Sequence, residues 1–176
     1  MTDTDTLIKA AQQGDADALS SLLDSHYDTI YRFAYRWCTH QANAEDIAQQ
    51  ACIKLARHIG QFRFDSSFTT WLYRLVINCA KDWQRKERLH LVTDSEQEAA
   101  SSFEAHEDGI YLTQVLTLLD DLGEGMKETA LLVHAEGFTH AEAAQVLGVK
   151  ETTISWRIHE MRKQLSLLQP QKEVKQ

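Results

Sequence analysis

Five polar residues near the middle of the chain recur at helical spacing and are of types that hold nucleic acids. Arg74, Asn78, Lys81, Arg85 and Arg88 follow one another at intervals of four and three positions, which places them in one line along a helix. Basic groups can follow a phosphate backbone, and aromatic rings can stack on bases that have left a duplex. The line predicts contact with single-stranded nucleic acid, and the alternative is a solvated basic helix with its aromatic residues in the core. The aromatic residues that flank it are Trp71, Tyr73 and Trp83.

A second group of residues, nearer the C-terminus, has the spacing of a helix-turn-helix. Thr139 stands three positions before Glu142, as in a capping box at the start of a helix. Gly148 permits the left-handed corner, and Thr152 or Thr153 can cap the helix that follows it. An ordinary helical hairpin is the alternative. The outward side of that helix carries residues that can enter a DNA major groove: Thr152, Ser155, Trp156, His159, Glu160, Arg162 and Lys163.

A third group is acidic and lies in the stretch A-N-A-E-D-I-A-Q-Q-A. Glu45, Asp46 and Gln49 fall on the outer side of a predicted helix. Acidic residues in the first turn of a helix interact favourably with its dipole, so these residues can simply stabilise the helix. The other interpretation is a docking face for a basic protein partner.

Charge is strongly segregated along the chain. The formal net charge is −8, yet residues 51–93 hold eight basic and three acidic groups, whereas residues 94–128 hold one basic and ten acidic groups. Phosphate attraction is local because salt screens charges over roughly 10 Å, so the net charge does not exclude DNA binding.

The elements that position these groups are all predicted to be helices. Apolar residues recur at 3.6-type spacing throughout, there is a single proline, and no alternating strand pattern is present. One long helix is predicted from a repeat at spacings of four or three, and a second helix ends at Gly60. The repeat consists of Ala18, Leu22, His26, Ile30, Phe33 and Trp37. The helix that carries the basic line buries Phe68, Leu72, Leu75 and Cys79.

The helices group into two small domains. We predict a first domain over residues 1–91, a flexible acidic linker over 92–107, a second domain over 108–168 and a frayed tail over 169–176. The linker is either solvated or folded onto the basic line, which it would then mask. No stretch reaches the roughly 18 apolar residues of a membrane span, so we expect no membrane insertion and a cytoplasmic protein. The three cysteines lack ligand spacing, and we expect neither a metal site nor a cofactor.

Three stretches of the chain together resemble bacterial sigma factors of the extracytoplasmic-function type, in the sigma-70 family. N-A-E-D-I-A-Q-Q is similar to the family's D-A-E-D-hydrophobic-x-Q-E motif. F-D-S-S-F-T-T-W-L-Y-R-L-V-I-N is similar to its G-x-x-S-F-x-T-W-L-Y-R-hydrophobic-x-x-N signature. G-F-T-H-A-E-A-A-Q-V-L-G-V is similar to its helix-turn-helix. The three motifs stand in the family's order, and the resemblance covers nearly the whole chain.

The resemblance implies a non-enzymatic protein that directs core RNA polymerase to promoter DNA. Glu45, Asp46 and Gln49 would contact the β′ clamp helices, and the second domain would meet the β flap. The residues Trp71, Arg74, Asn78, Lys81, Arg85 and Arg88, with the loop 64–68, would hold and melt the −10 element. The helix from Thr152 to Lys163 would read the −35 element. Sigma factors of this type are often held inactive, so an anti-sigma factor or other inhibitory partner is also implied.

The chain departs from the family pattern at several positions. Gln50 stands where the family usually has Glu, which predicts weaker docking on basic clamp helices. Ser155, Trp156 and Glu160 replace the usual basic, small and basic residues, which predicts an atypical −35 sequence. Two other functions fit the residues less well: a helix-turn-helix transcription regulator without sigma activity, and a pure protein-interaction module. An enzyme fits least, because the chain has no phosphate-binding loop and no nucleophile–base motif.

Overall fold

The computed structural model describes residues 3–93 and 107–168, and every regular element within them is a helix. The chain divides into two compact units, Met1–Thr113 and Gln114–Gln176. The all-α prediction is confirmed. The predicted boundaries of the domains, the linker and the tail stay predictions, because residues 94–106 and 169–176 lie outside the described part of the chain.

The described residues of the first unit form four complete helices, which build one core. They are α1 (Asp3–Gln12), α2 (Ala16–Cys38), α3 (Gln41–His58) and α4 (Phe68–Thr93), with a single 3₁₀ turn, Ile59–Gln61, directly after α3. The helix α4 packs against both α2 and α3. The core of the first unit consists of fully buried apolar side chains, among them Ile8, Leu22, Ile30, Phe33, Ile47, Leu55 and Leu72.

Local sequence explains the bounds of α2. The carboxylate of Asp15 accepts hydrogen bonds from the backbone N–H groups of Asp17 and Ala18, which caps the N-terminus. The helix ends where Thr39 adopts a left-handed conformation with φ 56°. Five of the six residues of the predicted repeat are buried, namely Ala18, Leu22, Ile30, Phe33 and Trp37, and the sixth, His26, is half-buried.

Two details of the prediction for this unit were wrong. The helix α3 does not end at Gly60 in a left-handed cap, because the chain tightens into the 3₁₀ turn and Gly60 keeps a negative φ. Tyr73 does not flank the basic line on the surface. Its ring is 5% exposed and meets the ring of Phe33 edge-on at a centroid distance of 5.4 Å. Tyr73 is a core residue, since α4 is covered on two sides and buries more than one stripe.

The second unit holds the predicted helix-turn-helix. It comprises α6 (Met126–Ala130), α7 (His140–Leu147), α8 (Glu151–Leu168) and the part of α5 (Glu107–Asp121) from Gln114 onward. The helix α6 continues directly into a segment with π-type hydrogen bonding over Leu131–Ala135. The core of the unit is apolar and includes Leu119, Leu132, Val146, Ile154, Ile158 and Met161.

The corner of the helix-turn-helix forms as the sequence predicts, apart from the cap of its second helix. The Thr139 hydroxyl accepts from the backbone N–H of Glu142, and the Glu142 carboxylate accepts from the backbone N–H of Thr139 at 2.8 Å. Gly148 takes the left-handed conformation, with φ 66°. Neither Thr152 nor Thr153 caps α8. The helix begins at Glu151, and the carbonyl of Lys150 accepts from the N–H groups of residues 153 and 154.

Candidate nucleic-acid interface

The predicted acidic residues lie together on the surface of the first unit. Glu45, Asp46 and Gln49 are all exposed on α3, and Gln41 donates to the Glu45 carboxylate at 2.9 Å. They line one side of a groove of about 570 Å³ between α2 and α3, and Asp24 adds a further carboxylate from the α2 side. We call Asp24, Glu45, Asp46 and Gln49 the acidic surface.

A row of tyrosines borders the acidic surface and was missed in the sequence. Tyr27, Tyr31 and Tyr35 stand four positions apart on α2, and successive rings stack at centroid distances of 6.3 Å. The exposed fractions of Tyr27 and Tyr35 are 43% and 44%. Burial, followed by the charge of Glu45, raises the pKa of Tyr31, so its phenol stays neutral. The i, i+4 spacing was a readable signal for an exposed aromatic row.

The basic line on α4 is present, with one of its members partly covered. Arg74, Asn78, Arg85 and Arg88 are exposed, whereas Lys81 is half-buried. Within the line, Asp82 accepts from Arg85 at 3.4 Å and from Lys54 of α3 at 2.9 Å. The hydrogen bond between Lys54 and Asp82 raises the pKa of the Lys54 ammonium group. Both contacts are at least a third exposed and add little stability, so they mainly fix where the positive groups stand.

Three of the predicted nucleic-acid-binding residues are brought together around one groove, which we call the α4 groove. Trp71, Arg74 and Asn78 line it from α4, at a volume of about 230 Å³. The opposite wall comes from the end of α3 and the 3₁₀ turn, and consists of Lys54, His58 and Gln61. An apolar indole, two cations and two amides around one concave site suit a planar base attached to a phosphate. Arg85 lines a different groove, and nothing places Lys81 or Arg88 in the α4 groove.

Aromatic packing fixes the indole at the mouth of the α4 groove. Trp71 is half-buried, and its ring lies 5.7 Å from the rings of Phe62 and Phe68. Phe62 in turn lies 4.8 Å from Phe64, which is 39% exposed. Of the three aromatic residues predicted to flank the basic line, Trp71 lines the α4 groove and Tyr73 is in the core. The third, Trp83, is half-buried and lines a different groove.

Six of the seven residues predicted on the outward side of α8 are exposed. Ile154, Ile158 and Met161 are buried on the inner side. The exposed side chains are Thr152, Ser155, Trp156, His159, Arg162 and Lys163. Trp156 is the large apolar side chain among them, and 57% of it is exposed. This face has the composition and the place in a helix-turn-helix that a DNA recognition helix requires.

Two polar residues of the α8 face are held by neighbours. The Ser155 hydroxyl lies 2.9 Å from Nδ1 of His140, the first residue of α7. Glu160 is half-buried, accepts from Gln164 at 2.7 Å and lies 3.9 Å from the Lys163 ammonium group. Any base contact by Glu160 therefore competes with two partners on its own helix.

The described residues offer no cluster of three or more His, Cys, Asp or Glu side chains that could hold a metal ion. Cys38, Cys52 and Cys79 are free thiols, and burial raises the pKa of Cys52 and Cys79. Within the same described part of the chain, no helix is long and apolar enough to cross a membrane.

Known proteins resemble this chain in both sequence and fold. A family profile, sigma-70 region 2, matches residues 22–90, which span the acidic surface and the α4 groove. The RNA polymerase sigma-H factor of Pseudomonas aeruginosa is 30% identical, over 93% of this chain and 93% of its own length. The chain belongs to the sigma-70 family of RNA polymerase sigma factors.

Other relatives place this sigma factor in the extracytoplasmic-function group. The extracytoplasmic-function sigma factor SigW of Bacillus subtilis is 27% identical over 90% of this chain and 92% of its own length. The solved structure of CnrH in complex with the cytosolic domain of CnrY superposes with a TM-score of 0.69, at 24% identity, and covers 94% of this chain and 97% of that chain. At that identity the superposition shows a shared fold. The resemblance seen in the three motifs is confirmed.

Proposed function

We propose that this sigma factor directs promoter-specific transcription initiation through three separate surfaces. The acidic surface and the tyrosine row dock on core RNA polymerase, the α4 groove holds the −10 element, and the α8 face reads the −35 element. The observation that carries the proposal is the α4 groove, because Trp71, Arg74 and Asn78 converge there on one base-sized site. It lies within the stretch that matches sigma-70 region 2.

The acidic surface suits a basic helical partner such as the β′ clamp helices. Carboxylates on α2 and α3 line the same groove, so they present one negative field to an approaching protein. Tyr27 belongs to that groove and offers an apolar ring on which a partner's arginine can stack. Aromatic residues are common at the energetic centre of protein interfaces, with charged groups at the rim.

The α4 groove suits one unpaired base of the non-template strand. Its cations attract phosphate, its indole provides a stacking surface, and Asn78 and Gln61 can donate to or accept from a base edge. Exposed Arg85 and Arg88 continue along α4 and follow the backbone beyond the groove. Such a site stabilises a melted −10 element because a flipped base no longer returns to the duplex.

The α8 face reads the −35 element in the major groove, and the second unit also meets the β flap. Arg162 and Lys163 serve phosphates, whereas Trp156 and Ser155 are placed for base edges. A one-component regulator uses a similar helix-turn-helix, but the region 2 match favours sigma activity. The protein works in the cytoplasm, where it meets polymerase, and performs no catalysis of its own.

An inhibitory partner is part of the proposal. The neighbour with the superposable fold was solved as CnrH with the cytosolic domain of CnrY, and a second, RpoE of Bartonella quintana, with the anti-sigma factor NepR. A partner that covers the acidic surface would exclude polymerase. It would be recognised by basic and aromatic side chains for the same reasons as the clamp helices.

Run-off transcription tests the proposal directly. Host genomic fragments are transcribed by purified core polymerase with and without the protein, and discrete new start sites that require the protein are expected. Arg74→Ala should then lower initiation at those promoters, whereas Arg57→Ala removes the same charge from an exposed site of α3 outside the groove and should not. The absence of any protein-dependent transcript would overturn the proposal.

A further inference from the structure

The side chain of Gln12, about fifty positions earlier in the chain, binds the 3₁₀ turn that forms one wall of the α4 groove. Gln12, the last residue of α1, donates from Nε2 to the carbonyl of Ile59 at 2.9 Å and to the carbonyl of Phe62 at 2.8 Å. Both partners are acceptors, so only the amide nitrogen of Gln12 satisfies them. The two bonds span the 3₁₀ turn and fix both of its ends to α1.

The segment between these two carbonyls forms part of the site. Gln61 lies inside the clamped stretch and lines the α4 groove opposite Trp71. The ring of Phe62, at the end of the stretch, packs on Trp71 at 5.7 Å. The position of Gln12 is therefore transmitted to both walls of the groove, through the backbone to Gln61 and through the Phe62 ring to the indole.

A second tether from α1 reaches the next part of the loop. The ammonium group of Lys9 lies 5.4 Å from the centroid of the Phe64 ring. Phe64 has φ 59°, a left-handed conformation that bulky residues rarely adopt and that the surroundings must enforce. Clamped carbonyls on one side and a cation over the ring on the other supply that enforcement.

We propose that Gln12 is a positioning residue for −10 recognition. It does not touch DNA. It holds the 59–62 segment so that Gln61 and Trp71 face each other across the α4 groove at a distance that admits one base. This inference rests on the proposed function of the groove, but the clamp itself can be tested without DNA.

The test compares two neighbouring glutamines. Gln12→Glu replaces the donor with a carboxylate that faces two carbonyl oxygens, and Gln12→Met removes the donor without adding charge. Gln13→Glu is the matched control, since Gln13 is exposed at the next position and makes no side-chain bond to the loop. Hydrogen exchange of residues 59–67 in the full-length protein should accelerate by about tenfold or more in both Gln12 variants, the effect of two lost hydrogen bonds, and stay unchanged in the control.

The functional readout is base discrimination by the holoenzyme. Initiation rates are compared between a promoter that the wild-type protein uses and copies with single substitutions in the −10 element. The quantity compared is the ratio of the initiation rate at the original promoter to the rate at a substituted copy. Both rates are proportional to the fraction of protein that is folded and bound to polymerase, so a general loss of stability leaves their ratio unchanged. We expect the ratio at one −10 position to fall at least about threefold in the Gln12 variants, with equal affinity for core polymerase.

Each outcome decides a different point. Unchanged exchange at residues 59–67 would overturn the clamp. Faster exchange with full discrimination would overturn its role in recognition. A wild-type protein that yields no promoter-dependent transcripts would overturn the proposed function and leave the exchange result for the clamp standing.

Discussion

Gly125→Ala should destabilise the second unit more than an alanine at any comparable left-handed glycine. Gly125 precedes α6 with φ 81°, and a methyl group added there would overlap the guanidinium group of Arg157 from α8. Gly148 is the matched control, because it has φ 66° and no atom within 4 Å of the added methyl. Both substitutions place an alanine at positive φ, and of the two only Gly125→Ala also displaces Arg157.

The magnitudes follow from these contacts. Alanine in the left-handed region costs roughly 1–2 kcal/mol, which is the whole effect expected at Gly148. At Gly125 the arginine must also leave its place, where it donates to the Thr129 hydroxyl at 3.4 Å. A net hydrogen bond from a charged group contributes about 1.5–3 kcal/mol, and the long distance favours the lower end. Because the guanidinium group is the far end of a flexible side chain, its displacement adds only the loss of this contact, and we expect a total of about 2.5–3.5 kcal/mol at Gly125.

Native-state hydrogen exchange of residues 126–168 is the suitable assay, because it reports the opening free energy of this unit alone. Arg157→Ala should reduce the cost of Gly125→Ala to that of Gly148→Ala, since the obstacle is gone. Equal losses for Gly125→Ala and Gly148→Ala in the wild-type background would refute the reasoning. So would an unchanged cost in the Arg157→Ala background.

Three further predictions concern single side chains. Gln50→Glu adds an acid beside the acidic surface and should tighten binding to core polymerase several-fold, measured as a dissociation constant at fixed salt; equal constants would contradict it. Glu160→Arg should change which promoters are transcribed more than polymerase affinity, because it also releases Lys163 from its partner. The Glu142 pKa is lowered by the backbone N–H and then the hydroxyl of Thr139, so the cap stabilises α7 above the unfolded-state pKa. That stability is lost as the pH falls through the folded-state pKa, and exchange of α7 in Glu142→Gln should lack this dependence.

Periodicity predicted the helices because each buries one dominant apolar stripe. It failed at Tyr73, where α4 is enclosed by α2 and α3 and a second stripe is buried against Phe33. It also failed at Thr152, because only two residues separate Gly148 from α8 and the helix starts before a threonine can cap it. These errors arise from packing between elements, which spacing within one element does not encode.

The functional surfaces also differ in how far the sequence predicts them. The acidic residues and the α8 face were predictable, since each lies on one helix and its spacing defines it. The α4 groove was predictable only from the α4 side, through Trp71, Arg74 and Asn78. Its other wall comes from the end of α3 and the turn after it, held by a glutamine about fifty positions earlier in the chain. No local pattern reveals such a contact.

The geometry of α3 explains how a chain with net charge −8 can hold DNA. Glu45 and His58 are thirteen positions apart on this helix, which corresponds to about 20 Å along its axis. Physiological salt screens charge over roughly 8 Å, so a phosphate in the α4 groove would respond to Arg74 and to Lys54, which Asp82 partly neutralises, and hardly to Glu45. The acidic end can therefore bind a basic partner while the other end stays attractive to DNA. Under the proposed function, docking at the acidic surface would also orient the α4 groove toward the promoter, because α3 contributes residues to both.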